Sequence, residues 1–134
     1  MAYAPDVSTL CLAVGKLLVT IPVASFTLAW THSIEKTRWE EDWQIAGGQL
    51  SISAARIKGS GAGMEPPTNA RLEAGTWHYR PDMPPMRSVR LTHSTHAAGY
   101  EFCTDGRCQP LASLIPGIGD NAIIEMSACP ENSQ

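Results

Sequence analysis

At 134 residues, the chain is long enough for one domain with a single hydrophobic core. Hydrophobic residues make up 43% and charged residues 17%, which argues against a disordered chain. The net charge of −3 and the lack of any run of lysines and arginines argue against nucleic-acid or membrane-surface binding. We therefore expect no nucleic-acid partner.

Apolar and polar residues alternate with a period of two along most of the chain, and no window has a helical stripe. This pattern predicts strands at residues 9–14, 17–21, 26–33, 38–46, 49–57, 76–80, 88–93, 100–103, 107–111 and 121–129. A short helical turn fits residues 112–115, and residues 58–69 and 81–85 are predicted as long loops. The predicted fold class is all-β, a small antiparallel β-sandwich or partly open barrel with disulfides.

The apolar stretch from Leu10 to Trp30 contains Lys16 and Pro22, so it predicts strands and not a membrane-spanning helix. We expect residues 1–8 to be a flexible N-terminal segment, residues 9–129 a single β domain, and residues 130–134 a C-terminal tail. The first residues lack the charged and apolar regions of a signal peptide, whereas the cysteines favour export. We expect a mature periplasmic or secreted form.

The cysteine spacing predicts disulfides. Asp105-Gly106 is a two-residue hairpin turn signal, which places Cys103 directly opposite Cys108 at a distance that suits a disulfide. A zinc site is the alternative for this pair, but the spacing is poor for zinc. Cys11 would then pair with Cys129, and closing so long a loop contributes about 4–5 kcal/mol in the chain-entropy model.

Two hairpins between residues 26 and 57 have registers that can be predicted from their turns. With residues 34–37 as the first loop, His32 lies opposite Trp39. With Gly47-Gly48 as the second turn, Trp39 lies opposite Arg56, and Glu41 lies opposite Ala54. His32, Glu41 and Arg56 should then share the core-facing side near one end of the sheet.

The loop with Glu35 and the glycine-rich run that follows Arg56 reach the same end, which makes it a candidate site. The predicted ligand-binding residues are His32, Glu35, Glu41, Arg56, Ser60 and Gly61. Burying an acid, an arginine and a histidine is costly unless they are paired. The alternative is a structural salt bridge between Glu41 and Arg56, with His32 hydrogen-bonded beside it. A register slip of one residue would separate these side chains.

Four motifs together resemble the domain-of-unknown-function family numbered 1850, over residues 10–129. They are Trp30-Thr-His-Ser-Ile-Glu-Lys36, Trp39-Glu-Glu, Gly59-Ser-Gly-Ala-Gly-Met-Glu-Pro-Pro67 and Cys103-Thr-Asp-Gly-Arg-Cys-Gln-Pro-Leu111. Members resemble small exported proteins often encoded beside TRAP transporters of the TAXI branch, which import small organic acids. The resemblance implies a periplasmic or cell-surface location and an accessory role in solute uptake, and it supplies no catalytic residues.

The leading expectation is therefore an exported binding or accessory module. Its partner would be a TRAP-type transporter subunit or a small acidic solute, with Arg56 pairing an acidic group. One alternative is a hydrolase with His32 as general base and Glu41 or Glu35 orienting it, and another is a purely structural subunit. No metal site and no cofactor are predicted.

Overall fold

The computed structural model describes residues 8–31, 37–58, 69–95 and 99–130. These residues form two antiparallel β-sheets and one short 3-10 helix at Leu111–Leu114. In chain order the strands are β1 Leu10–Val14, β2 Leu17–Ile21, β3 Ser25–Thr31, β4 Arg38–Ala46, β5 Gln49–Lys58, β6 Arg71–Glu73, β7 Thr76–Tyr79, β8 Ser88–Ser94, β9 Glu101–Thr104, β10 Arg107–Pro110 and β11 Asn121–Ala128.

The sheets differ in size. The four-stranded sheet has the order β2-β1-β11-β8, and the seven-stranded sheet has the order β10-β9-β3-β4-β5-β7-β6. The sheets do not close into a barrel, so the all-β prediction is confirmed and its sandwich form is the one observed. β4 lies near the middle of the larger sheet, between β3 and β5, and carries the residues that concern function.

The core lies between the inner faces of the sheets. The four-stranded sheet contributes Leu10, Leu12, Ile124 and Met126, each no more than 1% exposed. The larger sheet contributes Phe26, Leu28, Trp43 and Phe102, and the ring of Phe26 stacks on Phe102 with centroids 5.2 Å apart. Each such side chain stabilises the fold by roughly 1.5–3 kcal/mol when fully buried. The alternation of the sequence is thus the alternation of buried and outward-facing side chains.

Both predicted disulfides are present. Cys103 and Cys108 lie directly opposite each other in the β9–β10 hairpin, with Cα atoms 4.0 Å apart, and Asp105 and Gly106 form its turn with φ of 52° and 77°. Cys11 and Cys129, with Cα atoms 5.1 Å apart, join the first strand to the end of the last across a sequence separation of 118.

The predicted register of the first hairpin is wrong by two residues. β3 ends at Thr31, and Trp30, not His32, lies opposite Trp39. The predicted loop of residues 34–37 was too short for the connection that forms. A shift of two keeps every side chain on its predicted face, because side chains alternate with a period of two. Glu41 therefore remains on the inner face, opposite Leu28.

The predicted register of the second hairpin is wrong by one residue beyond a β-bulge. Ile45 pairs with Leu50 and Trp43 with Ile52, as the Gly47-Gly48 turn predicts, but Asp42 pairs with Ala54. Ser53 is the extra residue. A shift of one reverses the faces of the rest of β5, so Arg56 lies opposite Glu40 and points away from the core.

One strand was missed. β6 is only three residues long, its residues are all exposed, and Arg71 and Glu73 are not typical of strands. It forms a hairpin with β7 through Ala74 and Gly75, whose positive φ values of 50° and 78° are those of a tight hairpin turn.

Candidate functional site

Three consecutive acids on β4 occupy opposite faces of the seven-stranded sheet. Glu40 and Asp42 point to the outer face, and Glu41 points to the inner face, where its neighbours across the sheet are Leu28 and Ala55. Both neighbours are 1% exposed. The ionisation of these acids depends on the partners that each face of the sheet provides.

On the outer face, ionic hydrogen bonds form a continuous network, which we call the outer-face network. Arg56 donates from Nε to Glu40 at 2.9 Å and from Nη1 and Nη2 to Asp42, each at 2.8 Å. Arg38 donates from Nε to Glu40 at 2.8 Å and from both terminal nitrogens to Glu101 at 3.2 and 3.1 Å. Its members are Arg38, Glu40, Asp42, Arg56 and Glu101.

The network matches each acid with a cation. The bidentate contact with the Arg56 guanidinium holds the pKa of Asp42 below its usual range, and the hydroxyl of Thr27 adds a hydrogen bond of 2.7 Å. Burial by itself raises the pKa of Glu40, but the hydrogen bonds from Arg38 and Arg56 outweigh it, so that this pKa is also lowered. Arg56 therefore has its charge matched on the outer face, and its pKa is raised.

On the inner face, Glu41 has no cation partner among residues 8–31, 37–58, 69–95 and 99–130. It lies beside aromatic rings instead. Trp30 and Trp39 stack at 6.2 Å with planes 8° apart, and the ring of Tyr100 meets Trp30 edge-on at 5.6 Å. On the other side of Glu41, Tyr79 follows Ala55 across the sheet.

We call these side chains the aromatic–acid cluster: Trp30, Trp39, Glu41, Tyr79 and Tyr100. Unlike Phe26, Leu28 and Phe102 on the same face, they are all partly exposed in the described structure. The four-stranded sheet thus covers the middle of the inner face more completely than the end that carries the cluster. Each side chain of the cluster therefore keeps part of its surface exposed.

Electrostatic effects within the cluster differ from those on the outer face. Burial raises the pKa of Glu41, and the indole N–H of Trp43 acts in the opposite direction without outweighing it. The buried Nε1 of Trp43 has no hydrogen bond of normal geometry among the described residues. Burial, together with the nearby charge of Glu41, raises the pKa of Tyr79 and of Tyr100. A carboxyl and an indole N–H are thus both left without full polar partners there.

The structure separates two of the predicted site residues. Arg56 and Glu41 were expected on one face, and that prediction is wrong, because the bulge at Ser53 turns Arg56 outward to Glu40 and Asp42. The predicted salt bridge between Glu41 and Arg56 is therefore not formed. The remaining predicted residues lie outside the described part of the chain: His32, Glu35, Ser60 and Gly61. The hydrolase alternative requires His32 and stays a prediction.

Sequence reasoning missed the partners that matter on each face. Glu40 and Asp42 were not considered for Arg56, because that assignment depends on the bulge, which no glycine or proline marks. Tyr79 of β7 and Tyr100, which precedes β9, join the cluster from positions distant in sequence. The signal that was available is the pair Trp30 and Trp39, which flank the first hairpin connection on one face.

Potential metal ligands converge at one place in the described ranges, where Glu101 lies beside Cys103 and Cys108. Both sulfurs are joined in a disulfide, so they are not available as thiolate ligands.

Across the described ranges, no helix is long and apolar enough to cross a membrane.

The fold and the two faces define a disulfide-bonded β-sandwich domain. One side of its larger sheet carries an ionic network, and the other carries an acid beside aromatic rings that has no cation partner among the described residues. A family model described as Domain of unknown function (DUF1850) matches residues 26–111, which include β3, β4 and β5. The chain belongs to this family. No curated protein and no solved structure matches it.

Proposed function

We propose that this protein is a binding module that acts outside the cytoplasm, and that its aromatic–acid cluster holds a cationic group of its ligand. The observation that carries the proposal is Glu41, an acid on the inner face with aromatic rings around it and no cation among the described residues. Carboxylates and the faces of Trp and Tyr rings both attract ammonium and guanidinium groups.

The energetic reason is that Glu41 costs stability where it stands. A carboxylate in a poorly solvated place without a partner is unfavourable, and stability alone would favour an apolar or amide side chain at this position. Groups with such perturbed pKa values are concentrated at functional sites. A cationic ligand would supply the missing partner, and one carrying an acceptor atom could also accept from the Nε1 of Trp43.

The ligand class differs from the acidic group expected from the sequence. That expectation relied on Arg56, whose hydrogen bonds to Glu40 and Asp42 already match its charge. The cation we propose is a lysine or arginine side chain of a partner protein, in keeping with an accessory role. The disulfides and the resemblance to proteins encoded beside TRAP transporters support a periplasmic or secreted location and a transporter subunit as the partner.

The ligand class is tested by titrating the protein with choline and following tryptophan fluorescence, with 3,3-dimethylbutan-1-ol as the uncharged probe of the same shape. We expect saturable binding of choline, weaker binding of the alcohol, and a loss of about tenfold or more in Glu41→Gln, which corresponds to ~1.4 kcal/mol. Glu73→Gln removes an exposed acid of the same charge and should bind like the unaltered protein. Equal binding of the two probes, or of the two variants, would overturn the cation proposal.

The partner is tested separately by co-purification with the membrane subunits of a TRAP transporter from cells that contain both. We expect the subunits to be retained by the unaltered protein and by Glu73→Gln, and to be lost with Glu41→Gln. Retention by Glu41→Gln at the same level would rule out Glu41 as the contact, and no retention by any form would rule out this partner.

A further inference from the structure

A recess lies beside the bulge of β5. Trp30 and Trp39 of the aromatic–acid cluster do not line it. β7 pairs with β5 over Ala55–Lys58 only, and Leu50 forms an isolated bridge with Met86. Between these contacts, Ala54 pairs with Asp42 of β4, Ser53 is the extra residue of the bulge, and neither has a strand on the other side within the described residues. The space left there is a groove of about 340 Å³.

The groove is basic. Arg71, His78 and Arg80 line it, and none of its lining residues is an acid. Asn69 and Ser53 add an amide and a hydroxyl, and Asn69 donates from Nδ2 to the backbone carbonyl of Arg80 at 3.4 Å. That bond joins the residues before β6 to the residues after β7. Arg71 is the first residue of β6, and Arg80 directly follows β7.

These cations have little competition from the protein's own acids. Arg80 forms no ion pair in the described ranges, unlike Arg56. Arg71 contacts Glu73 at 3.2 Å, but the side chains of this pair are 74% and 57% exposed, so the contact contributes little. His78 lies directly opposite Arg71 in the β6–β7 hairpin, so the two side chains are neighbours at the groove.

A neighbouring groove shows that this charge is local. A recess of about 550 Å³ on the other side of Ser53 is lined by Asp42 and Asp105 and by no lysine, arginine or histidine. Asp42 in that groove is already bound by Arg56. The protein as a whole carries a net charge of −3, whereas this groove is lined by two arginines and no acid.

We propose that the groove between β5, β6 and β7 binds a small oxyanion, in which two oxygens accept from the guanidinium groups of Arg71 and Arg80. A planar fork of N–H donors fits carboxylate and phosphate oxygens alike. The side-chain amide of Asn69 supplies a further donor, because its nitrogen carries two hydrogens and the bond to Arg80 uses one. Tyr79 lines this groove and also belongs to the aromatic–acid cluster, but the proposed anion contacts do not use Glu41.

The test follows backbone and side-chain amide resonances in the NMR spectrum during titration with succinate, with inorganic phosphate, and with uncharged succinamide. We expect saturable shifts at Asn69, Ser53 and His78 for at least one of the anions and none for succinamide. The anion that binds more tightly identifies the group as a carboxylate or a phosphate. If neither gives saturable shifts at these residues, the proposal is overturned.

Variants locate the site. Arg80→Met and Arg71→Met should each weaken binding of the preferred anion about tenfold or more, a change that corresponds to ~1.4 kcal/mol. Arg107→Met removes an exposed arginine of β10 and should leave the affinity unchanged. All three arginines are on the surface, and thermal unfolding of each variant checks that the fold is retained. Equal affinity in all three variants would show that the anion binds elsewhere.

Discussion

Adjacent acids of β4 have pKa values shifted in opposite directions on the two faces of the seven-stranded sheet. Glu40 and Asp42 on the outer face are bound by Arg38 and Arg56, and both pKa values are lowered. Glu41 between them has no cation among the described residues, and burial raises its pKa. The difference shows that pairing with arginine, more than the acid itself or its place in the sequence, decides whether a carboxyl here stabilises the fold.

A single residue separates the two situations. Without Ser53 as an extra residue, Arg56 would fall on the inner face beside Glu41, and Glu40 and Asp42 would lose a shared partner. The bulge therefore places Arg56 on the face opposite to Glu41, where it binds Glu40 and Asp42. Bulges are common where a side chain must be turned toward or away from a site.

Deleting Ser53 should have the largest effect. The deletion forces residues 54–58 to exchange faces, which turns Ile57 out of the core and Arg56 into it, and we expect a loss of about 4 kcal/mol or more, or no folded protein. Ser53→Ala keeps the residue count and loses only the 3.3 Å hydrogen bond to the carbonyl of Asp42, so it should cost about 1 kcal/mol or less. Denaturant unfolding measures both, and a mild effect of the deletion would contradict the role of the bulge.

Arg56→Met should come next. It removes the shared partner of Glu40 and Asp42, whose side chains are only 12% and 33% exposed, and we expect a loss of about 2–3 kcal/mol at pH 7. Folding lowers the pKa of both acids, so the stabilisation is present above their unfolded pKa values and is lost as the pH falls through the folded ones. The difference between variant and unaltered protein should therefore shrink in acid. Arg71→Met at an exposed pair is the control and should cost less than ~0.5 kcal/mol.

Double-mutant cycles should distinguish the faces. Asp42→Asn and Arg56→Met touch the same bidentate contact, and we expect a coupling energy of about 1–2 kcal/mol. Glu41→Gln and Arg56→Met share no partner, and their effects should add to within ~0.5 kcal/mol. Strong coupling in the second cycle would mean that Glu41 and Arg56 interact, as the hairpin turns alone had predicted.

Glu41→Gln should stabilise the protein, by about 1 kcal/mol at pH 7, because it removes a charge that burial disfavours. Folding raises the pKa of this group, so its cost appears as the pH rises above the unfolded pKa of about 4.3 and is complete above the folded one. The gain should therefore vanish below that unfolded value. As a control, Glu73→Gln at an exposed position should change the unfolding temperature little at pH 7 or below the unfolded pKa. If Glu41→Gln is instead destabilised, the acid has a structural partner.

The sequence predicted the fold better than the site, for physical reasons. Alternation and the Asp105-Gly106 turn act locally, and the Cys103–Cys108 disulfide and every strand except β6 followed from them. The Cys11–Cys129 disulfide followed as the remaining pair. The relative positions of Glu41 and Arg56 depend on register, which one unmarked extra residue at Ser53 reverses. The predicted face of Glu41 is correct although the predicted register of the first hairpin is wrong, because the error is two residues and side chains alternate with a period of two. The aromatic neighbours Tyr79 and Tyr100 are far from Glu41 in sequence. A local sequence pattern therefore does not predict that they lie close to it.

Burial makes ionisation of Glu41 costly, whereas hydrogen bonds from arginine hold Glu40 and Asp42 ionised. A pH titration of the carboxyl carbons by NMR, with signals assigned by single Gln and Asn substitutions, measures all three groups in one sample. The pKa of Glu41 should lie above the ordinary 4.5, that of Glu40 below 4.5 and that of Asp42 below 3.8. A pKa of Glu41 equal to or below that of Glu40 would contradict the account.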